Sequence, residues 1–407
     1  MSTFAAMEKK LYPLKFIPIA SRRPWGGNAL VKDLGKEFVE CDDDGNEVKV
    51  TSDELVGESW EIADMGFEDS VVSEGWLAGN TISEIMETYL ERVVGEDVYN
   101  YFGRQFPLLV KFLDINGKLS VQVHPDDEIA SERYDSLGKS ELWYILDAKP
   151  DAKVYIGFNR EVSAQEFYDR CNNGTVEEVL NVIRPKKGDV FHITPGTVHA
   201  AEGGILLVEI QESSDLSFRL YDWGRENNPA TARPMHLEEA IDIIDYRPFD
   251  MGKYRKEAVS DEVVEKLVES SQFNVTKLNL TDPLHIYTEQ FGSFIIYVCV
   301  EGAASVQVPS TKENGEAFME NYEFKKGETI MVPADMPDFY LVPRDRSTVL
   351  LEAVIRIDEV LDNYIDPSTD PFLEDEDYEG LEDEEHDHHG HDGSNPFGFF
   401  GGHGNLS

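Results

Sequence analysis

The chain has 407 residues, 41% of them hydrophobic, with 80 acidic against 36 basic side chains and a formal net charge of −44 at neutral pH. That is apolar material for more than one core, whereas so negative a molecule repels nucleic-acid phosphates and anionic lipid, which removes both as expected partners. A pocket for an anionic small molecule must then be built from local lysines and arginines working against that field.

Along the chain, the opening residues are interrupted by Glu8, Lys9 and Lys10, so they carry no apolar signal core. No later run approaches the roughly 20 apolar residues of a membrane helix. A cytoplasmic protein is the expectation. Cys41, Cys171 and Cys299 lie far apart, without the close spacing of a zinc knuckle or redox pair, and read as reduced structural thiols. A helix is predicted over 83–94.

The next segment, LSVQVHPDD at 119–127, is the most informative. Residues two apart in a strand share a face, so Gln122 and His124 project together with Ser120 while Val121 and Val123 face the opposite layer. Polar groups inside a small barrel destabilise it unless they have partners, and a metal ion is a natural partner for this set. Taken alone, one strand histidine is more often a satisfied core residue. In GKSELWY at 138–144, Glu141 then carries a charge into an aromatic strand, and 142–146 reads as extended.

Ser163 with Glu166 predicts a capping box that opens a helix ending near Gly174. Thr175 with Glu178 predicts the same device for a helix that must stop before Pro185. Strands are predicted at 190–194, 205–211 and 218–221, with His199 following the turn at Pro195 and Gly196. A fourth helix is predicted over 237–244. No glycine-rich nucleotide-phosphate loop occurs. The mixture predicts a mainly β fold, a barrel core with helical decorations, and excludes a doubly wound βαβ sheet.

Two segments echo one another. GDVFHITPGTVH at 188–199 and GETIMVPADMPD at 327–338 each open on Gly and an acid, run through a β-like stretch and turn at proline. The first leads to a histidine, the second to Met336 and Asp338. This predicts a duplicated barrel with metal binding kept in the first copy: a catalytic domain at 1–245, a degenerate second domain at 246–360 and a tail at 361–407. From Asp358 to Asp392 the chain is rich in Asp and Glu and has no Lys or Arg. With its tract of His386, His388, His389 and His391 and its Gly/Phe-rich end, the tail is expected to be disordered and solvated rather than catalytic.

Gln122, His124, Glu141 and His199 together offer nitrogen and oxygen donors of a kind that suits zinc, iron, manganese or cobalt. Thiolate-rich structural zinc is excluded, because no cysteine lies near them in sequence.

The ordered segments LSVQVHPDD, GKSELWY, GDVFHITPGTVHA and EIQESSDLSFRLYDWGR, with RPWGG at 23–27 and GESWEIA at 57–63, resemble the class I mannose-6-phosphate isomerases. These are the short bacterial type within the cupin superfamily, and the likeness runs from about Tyr12 to about Ile357. It implies two jelly-roll cupin barrels in tandem and one zinc ion per chain on Gln122, His124, Glu141 and His199. It also implies Arg219 as the active-site arginine, Glu209 as a proton-transfer carboxylate, and Lys111, Ser120 and Lys139 near the substrate or its phosphate. The implied reaction interconverts mannose 6-phosphate and fructose 6-phosphate through a cis-enediol(ate), in a monomer or homodimer whose partner is a small sugar phosphate.

Strand alternation adds two expectations. Ser217, Arg219 and Tyr221 should share one face, and Glu209 should share one with Gln211. Trp25 and Trp60 read as aromatic walls or core. Two rival readings use the same donors: a non-haem iron dioxygenase, separated by metal analysis and oxygen dependence, and a catalytically silent bicupin that binds sugar or metal. Gln122 as a ligand and the three candidate phosphate-binding cations favour the isomerase.

Overall fold

A computed structural model of the chain describes residues 9–41, 46–251, 255–257, 263–312 and 314–357. The acidic, His-rich tail, for which disorder is expected, lies outside these residues. The fold is mostly β with few helices, and every pairing between the named strands is antiparallel.

A seven-stranded sheet runs in the order Ile19–Ser21, Glu58–Ile62, Leu108–Ile115, Ile205–Glu212, Glu141–Ala148, Asp189–Ile193 and Arg255–Glu257. A five-stranded sheet runs Phe218–Tyr221, Val121–Val123, His199–Glu202, Lys153–Phe158 and Leu180–Ile183. Alternation explains how the two meet. Leu113, Ile115, Trp143, Ile145, Ile193 and Leu207 point inward and pack on Val154, Ile156 and Ala201 of the second sheet. Their strand neighbours Val110, Phe112, Leu142, Tyr144, Val208 and Ile210 point the other way, into a core shared with the C-terminal half.

The seven-stranded sheet is therefore a wall between two cores, which is why its central strands are buried on both faces. Each such Leu, Val, Ile or Phe contributes roughly 1.5–3 kcal/mol when fully buried. Against that background the inward-pointing positions 111, 141, 209 and 211, all charged or amide, are the departures that need a physical reason.

The C-terminal half repeats the arrangement. One sheet runs Val264–Glu269, Asn274–Leu280, Thr348–Val354, Ile295–Glu301 and Thr329–Val332; the other runs Leu284–Ile286, Phe339–Pro343, Ala303–Thr311 and Ala317–Lys325. The two echo segments occupy matching places. Gly188, at φ +88°, donates its N–H to Ile145 O, and Gly327, at φ +82°, donates to Cys299 O. Each then leads into a strand that pairs with its own central strand.

The helices differ from expectation where tertiary pairing overrides local signals. The predicted helix at 83–94 starts earlier, at Ile82, because Thr81 and Glu84 form a full capping box. It breaks at Leu90, whose φ is +54°, and resumes over Glu91–Val94. Ala164–Asn173 is capped by Ser163 and ends at left-handed Gly174, as expected. The Glu166 carboxylate, however, binds Arg160 and Arg170 instead of closing the box.

Thr175 makes no side-chain cap. Only a 3-10 turn, Val176–Val179, forms before the chain joins the sheet beside Lys153–Phe158. The predicted helix at 237–244 shrinks to Leu237–Ala240, and Asp245 N then bonds Gly196 O. Cys171 and Cys299 are free and buried. Among the described residues no helix is long and apolar enough to cross a membrane.

Candidate active site

Three of the expected metal donors meet at one point inside the N-terminal sheet pair. His199 opens its strand directly opposite Gln122, and Glu141 opens its own strand opposite Gln211 and Ile193. His124 follows the strand that carries Gln122. Candidate ligand atoms of His124, Glu141 and His199 all lie within 4.8 Å of one another, and all three residues are buried.

His199 Nε2 stands 3.1 Å from Glu141 Oε1, and His124 Nε2 stands 3.4 Å from Oε2. Gln122 Nε2 lies 3.2 Å from His199 Nε2, and a half-turn of the amide presents its oxygen at the same place.

The donor chemistry fits a borderline divalent ion. His124 Nδ1 is 3.2 Å from Leu216 O and His199 Nδ1 is 2.9 Å from Thr197 O. With the proton on Nδ1, donated to a carbonyl, the Nε2 lone pair of each ring points at Glu141. Both Glu141 oxygens are buried without a hydrogen-bond donor of good geometry, although Lys139 Nζ approaches Oε2 to 2.9 Å. A carboxylate so placed calls for a cation.

Burial, then the charge of Lys139, lowers the His124 pKa to about 3, which leaves the ring neutral at physiological pH. Burial opposes ionisation of Glu141, yet Lys139, His124 and His199 outweigh it and hold the carboxyl well below its usual range. A neutral imidazole and an ionised carboxylate are the protonation states that bind metal.

A cavity of about 320 Å³ opens beside this cluster, a size usual for small-molecule sites. Gln122 lines it, as do all five of the other expected residues: Lys111, Ser120, Lys139, Glu209 and Arg219. Lys111 Nζ donates to Glu209 Oε2 at 3.0 Å and Gln211 Oε1 at 2.8 Å, while Trp143 Nε1 donates to Glu209 Oε1 at 2.8 Å. Glu209 and Gln211 thus share a face, as alternation predicts.

Arg219 sits across the ladder from Gln122. Its Nη1 donates to Pro234 O at 2.7 Å, and its Nε is buried without a partner among the described residues. Burial, then the neighbouring Arg233, lowers its pKa to about 10, so it stays charged near neutral pH. Tyr221 departs from expectation. A bulge between Arg219 and Tyr221 inserts Leu220 as an extra residue, and Tyr221 packs its ring 5.5 Å from Trp223 instead of lining the cavity with Ser217 and Arg219.

Residues 14–154 match the family described as phosphomannose isomerase type I, catalytic domain. The mannose-6-phosphate isomerase ManA of Bacillus subtilis is 33% identical over 331 residues, spanning 81% of this chain and 95% of that protein. The chain belongs to the mannose-6-phosphate isomerase family. A mannose-6-phosphate isomerase of Streptococcus mutans is 30% identical over 317 residues, 77% of this chain and 89% of that one. The crystal structure of the mannose 6-phosphate isomerase from Bacillus subtilis matches with a TM-score of 0.68 at 28% identity, over 85% of this chain and all of that one. The structure of a putative mannosephosphate isomerase from Archaeoglobus fulgidus, 20% identical, shares the fold with a TM-score of 0.63.

In this mannose-6-phosphate isomerase family member the cavity also holds residues that sequence reasoning passed over. Arg23, Glu58 and Arg233 line it, beside the buried walls Trp25 and Trp60. Arg23 and Glu58 stand inside the motifs RPWGG and GESWEIA. Alternation places Glu58 with Trp60, and Trp60 stands opposite Lys111; that pattern was the available signal. Arg233 lies in an irregular segment with no periodicity to mark it. Five cations face three carboxylates around the cavity, the local positive excess that a chain of charge −44 needs for an anionic ligand.

Proposed function

We propose that the chain is a zinc-dependent aldose–ketose isomerase that interconverts mannose 6-phosphate and fructose 6-phosphate through a cis-enediol(ate). The observation that carries this reading is the convergence of His124, Glu141 and His199 beside a cavity with an excess of positive charge. Gln122 completes the ligand set, and zinc, when bound, supplies Lewis-acid polarisation of substrate oxygens.

The chain's own residues account for the rest. Moving the carbonyl between C1 and C2 requires a proton to leave the carbon next to it and return to the neighbouring carbon. Glu209 is the carboxylate assigned to that transfer, held in place by Lys111 and Trp143. Arg219 places positive charge beside the oxygen where negative charge develops. His124 and His199, as ligands, are not bases. Lys111, Ser120 and Lys139 contact the substrate.

In the same reading, the two sheet pairs are tandem cupin jelly rolls, with the boundary near residue 245, and the second is degenerate. The protein works in the cytoplasm as a monomer or homodimer.

Purified protein should convert mannose 6-phosphate to fructose 6-phosphate without oxygen, lose that activity on chelation and regain it with zinc. A chain loaded with one zinc that leaves mannose 6-phosphate untouched overturns the reading, and an oxygen requirement points instead to the dioxygenase alternative.

A further inference from the structure

The positive end of the cavity is built unevenly. Lys111 is paired with Glu209, Lys139 with Glu141, and Arg23 with Glu58. At the Arg219 end, by contrast, three arginines, Arg219, Arg225 and Arg233, are grouped around one buried carboxylate, Asp222, while Asp215 lines the cavity near Arg23. A phosphate monoester, at about −1.5 to −2 near neutral pH, is an anion that such a group of guanidiniums suits.

The arm that reaches the cavity is fixed from behind. Arg233 donates Nε to Asp222 Oδ2 at 3.0 Å and Nη2 to Oδ1 at 2.6 Å. Asp222 is fully buried and also accepts from Arg225 Nη2 at 2.5 Å, which itself donates to Lys118 O. A two-point grip of this kind locks the plane of a guanidinium and turns its remaining Nη1 end toward a ligand. Arg219, beside it, has a buried Nε without a partner among the described residues.

We propose that Arg233, oriented by the buried carboxylate of Asp222, binds the phosphate of the substrate, and that Asp222 is a positioning residue acting through Arg233. This moves the phosphate away from Lys111, whose charge is met by Glu209, and from Lys139, which stands against Glu141 of the candidate metal cluster. It rests on the sugar-phosphate reading above.

The test uses zinc-loaded full-length protein as wild type, Arg233→Gln, Arg233→Lys and Asp222→Asn. Calorimetry measures binding of inorganic phosphate, and steady-state kinetics give kcat and KM for mannose 6-phosphate. Arg233→Gln should weaken phosphate binding and raise KM by roughly 10- to 100-fold, the effect of losing one charged hydrogen-bonding arm, with kcat within about twofold. Arg233→Lys should recover part of that loss. Asp222→Asn should raise KM by a smaller factor at unchanged kcat; if that variant fails to fold, the half-buried Arg233 variants decide. Wild-type phosphate affinity in Arg233→Gln, or a collapse of kcat at unchanged KM, overturns the subsite. If the wild type binds inorganic phosphate through Arg233 but does not turn over mannose 6-phosphate, the isomerase reading fails and the subsite stands.

Discussion

The two halves of the molecule share one strand plan and fill it with opposite chemistry. The matching bonds of Gly188 to Ile145 and Gly327 to Cys299 align their central strands, so Ile295 stands where Glu141 stands and Tyr297 stands where Trp143 stands. On the neighbouring strand, Glu209 pairs across from Trp143 and Lys111; its counterpart Glu352 pairs across from Tyr297 and Thr276. Where the echo reaches His199 in the first half, it reaches Asp338 in the second, whose carboxylate accepts from Thr288 N at 3.1 Å and from Thr288 Oγ1 at 3.4 Å.

Ile295 thus takes the place of Glu141, and Thr276 the place of Lys111. Among the described residues the N-terminal cluster is the only group of side chains placed to hold a metal ion.

Two buried carboxyls, one from each interior, are set in opposite directions. Glu141 is held well below its usual range by Lys139 and the imidazoles in spite of burial. Glu352 is pushed up to about 7, chiefly by burial, with the Tyr297 hydroxyl donating at 3.0 Å as a partial offset. The lesson is that a buried carboxylate stays ionised only where cations accompany it.

That contrast can be broken most severely by writing the second half into the first. Glu141→Ile should abolish stoichiometric zinc by metal analysis and cut turnover by more than about 100-fold while circular dichroism stays native, since even outer partners of a metal ligand are worth 10- to 100-fold.

Arg219→Ala and Glu209→Gln, tested separately by steady-state kinetics, should each keep zinc and lose roughly 10²–10³-fold in kcat, the usual scale for an oxyanion donor or a general base. Near-normal turnover in either variant removes that residue from the mechanism. The reverse swap, Ile295→Glu, buries a carboxylate within an apolar core and should lower unfolding free energy in urea by roughly 3–5 kcal/mol.

The smallest effect is on pH dependence. Because the folded-state pKa of Glu352 lies above its unfolded value, the folded protein binds that proton more tightly. The associated stability is complete below about pH 4.5 and lost as pH rises through about 7. Over that window the loss from this group is on the order of 3 kcal/mol. Glu352→Gln, which imitates the protonated form, should flatten that part of the stability–pH curve and raise the melting temperature at pH 8. An unchanged slope would show that Glu352 does not titrate there.

Much of the site was legible because strand alternation is a local property: two residues on, same face. That rule placed Gln122 with His124 and Glu209 with Gln211 from the sequence alone, and the charge entering GKSELWY marked Glu141. It failed at Tyr221, where a bulge sets the side chain's direction through pairing with the distant strand Val121–Val123. It failed again for the helices expected after Thr175 and Leu237, where sheet pairing and the contact with Gly196 end the helical run.

By itself, then, the sequence determined a mainly β chain, the candidate donors and the family they resemble, because periodicity and residue chemistry act over a few neighbours. The tertiary structure decided which charges are spent on one another and which remain for a ligand. Lys111 is claimed by Glu209 from 98 positions away, and Arg233 is fixed by Asp222 across an irregular loop. Those outcomes depend on long-range register, and no local pattern in a chain encodes which of its lysines and arginines will find a carboxylate.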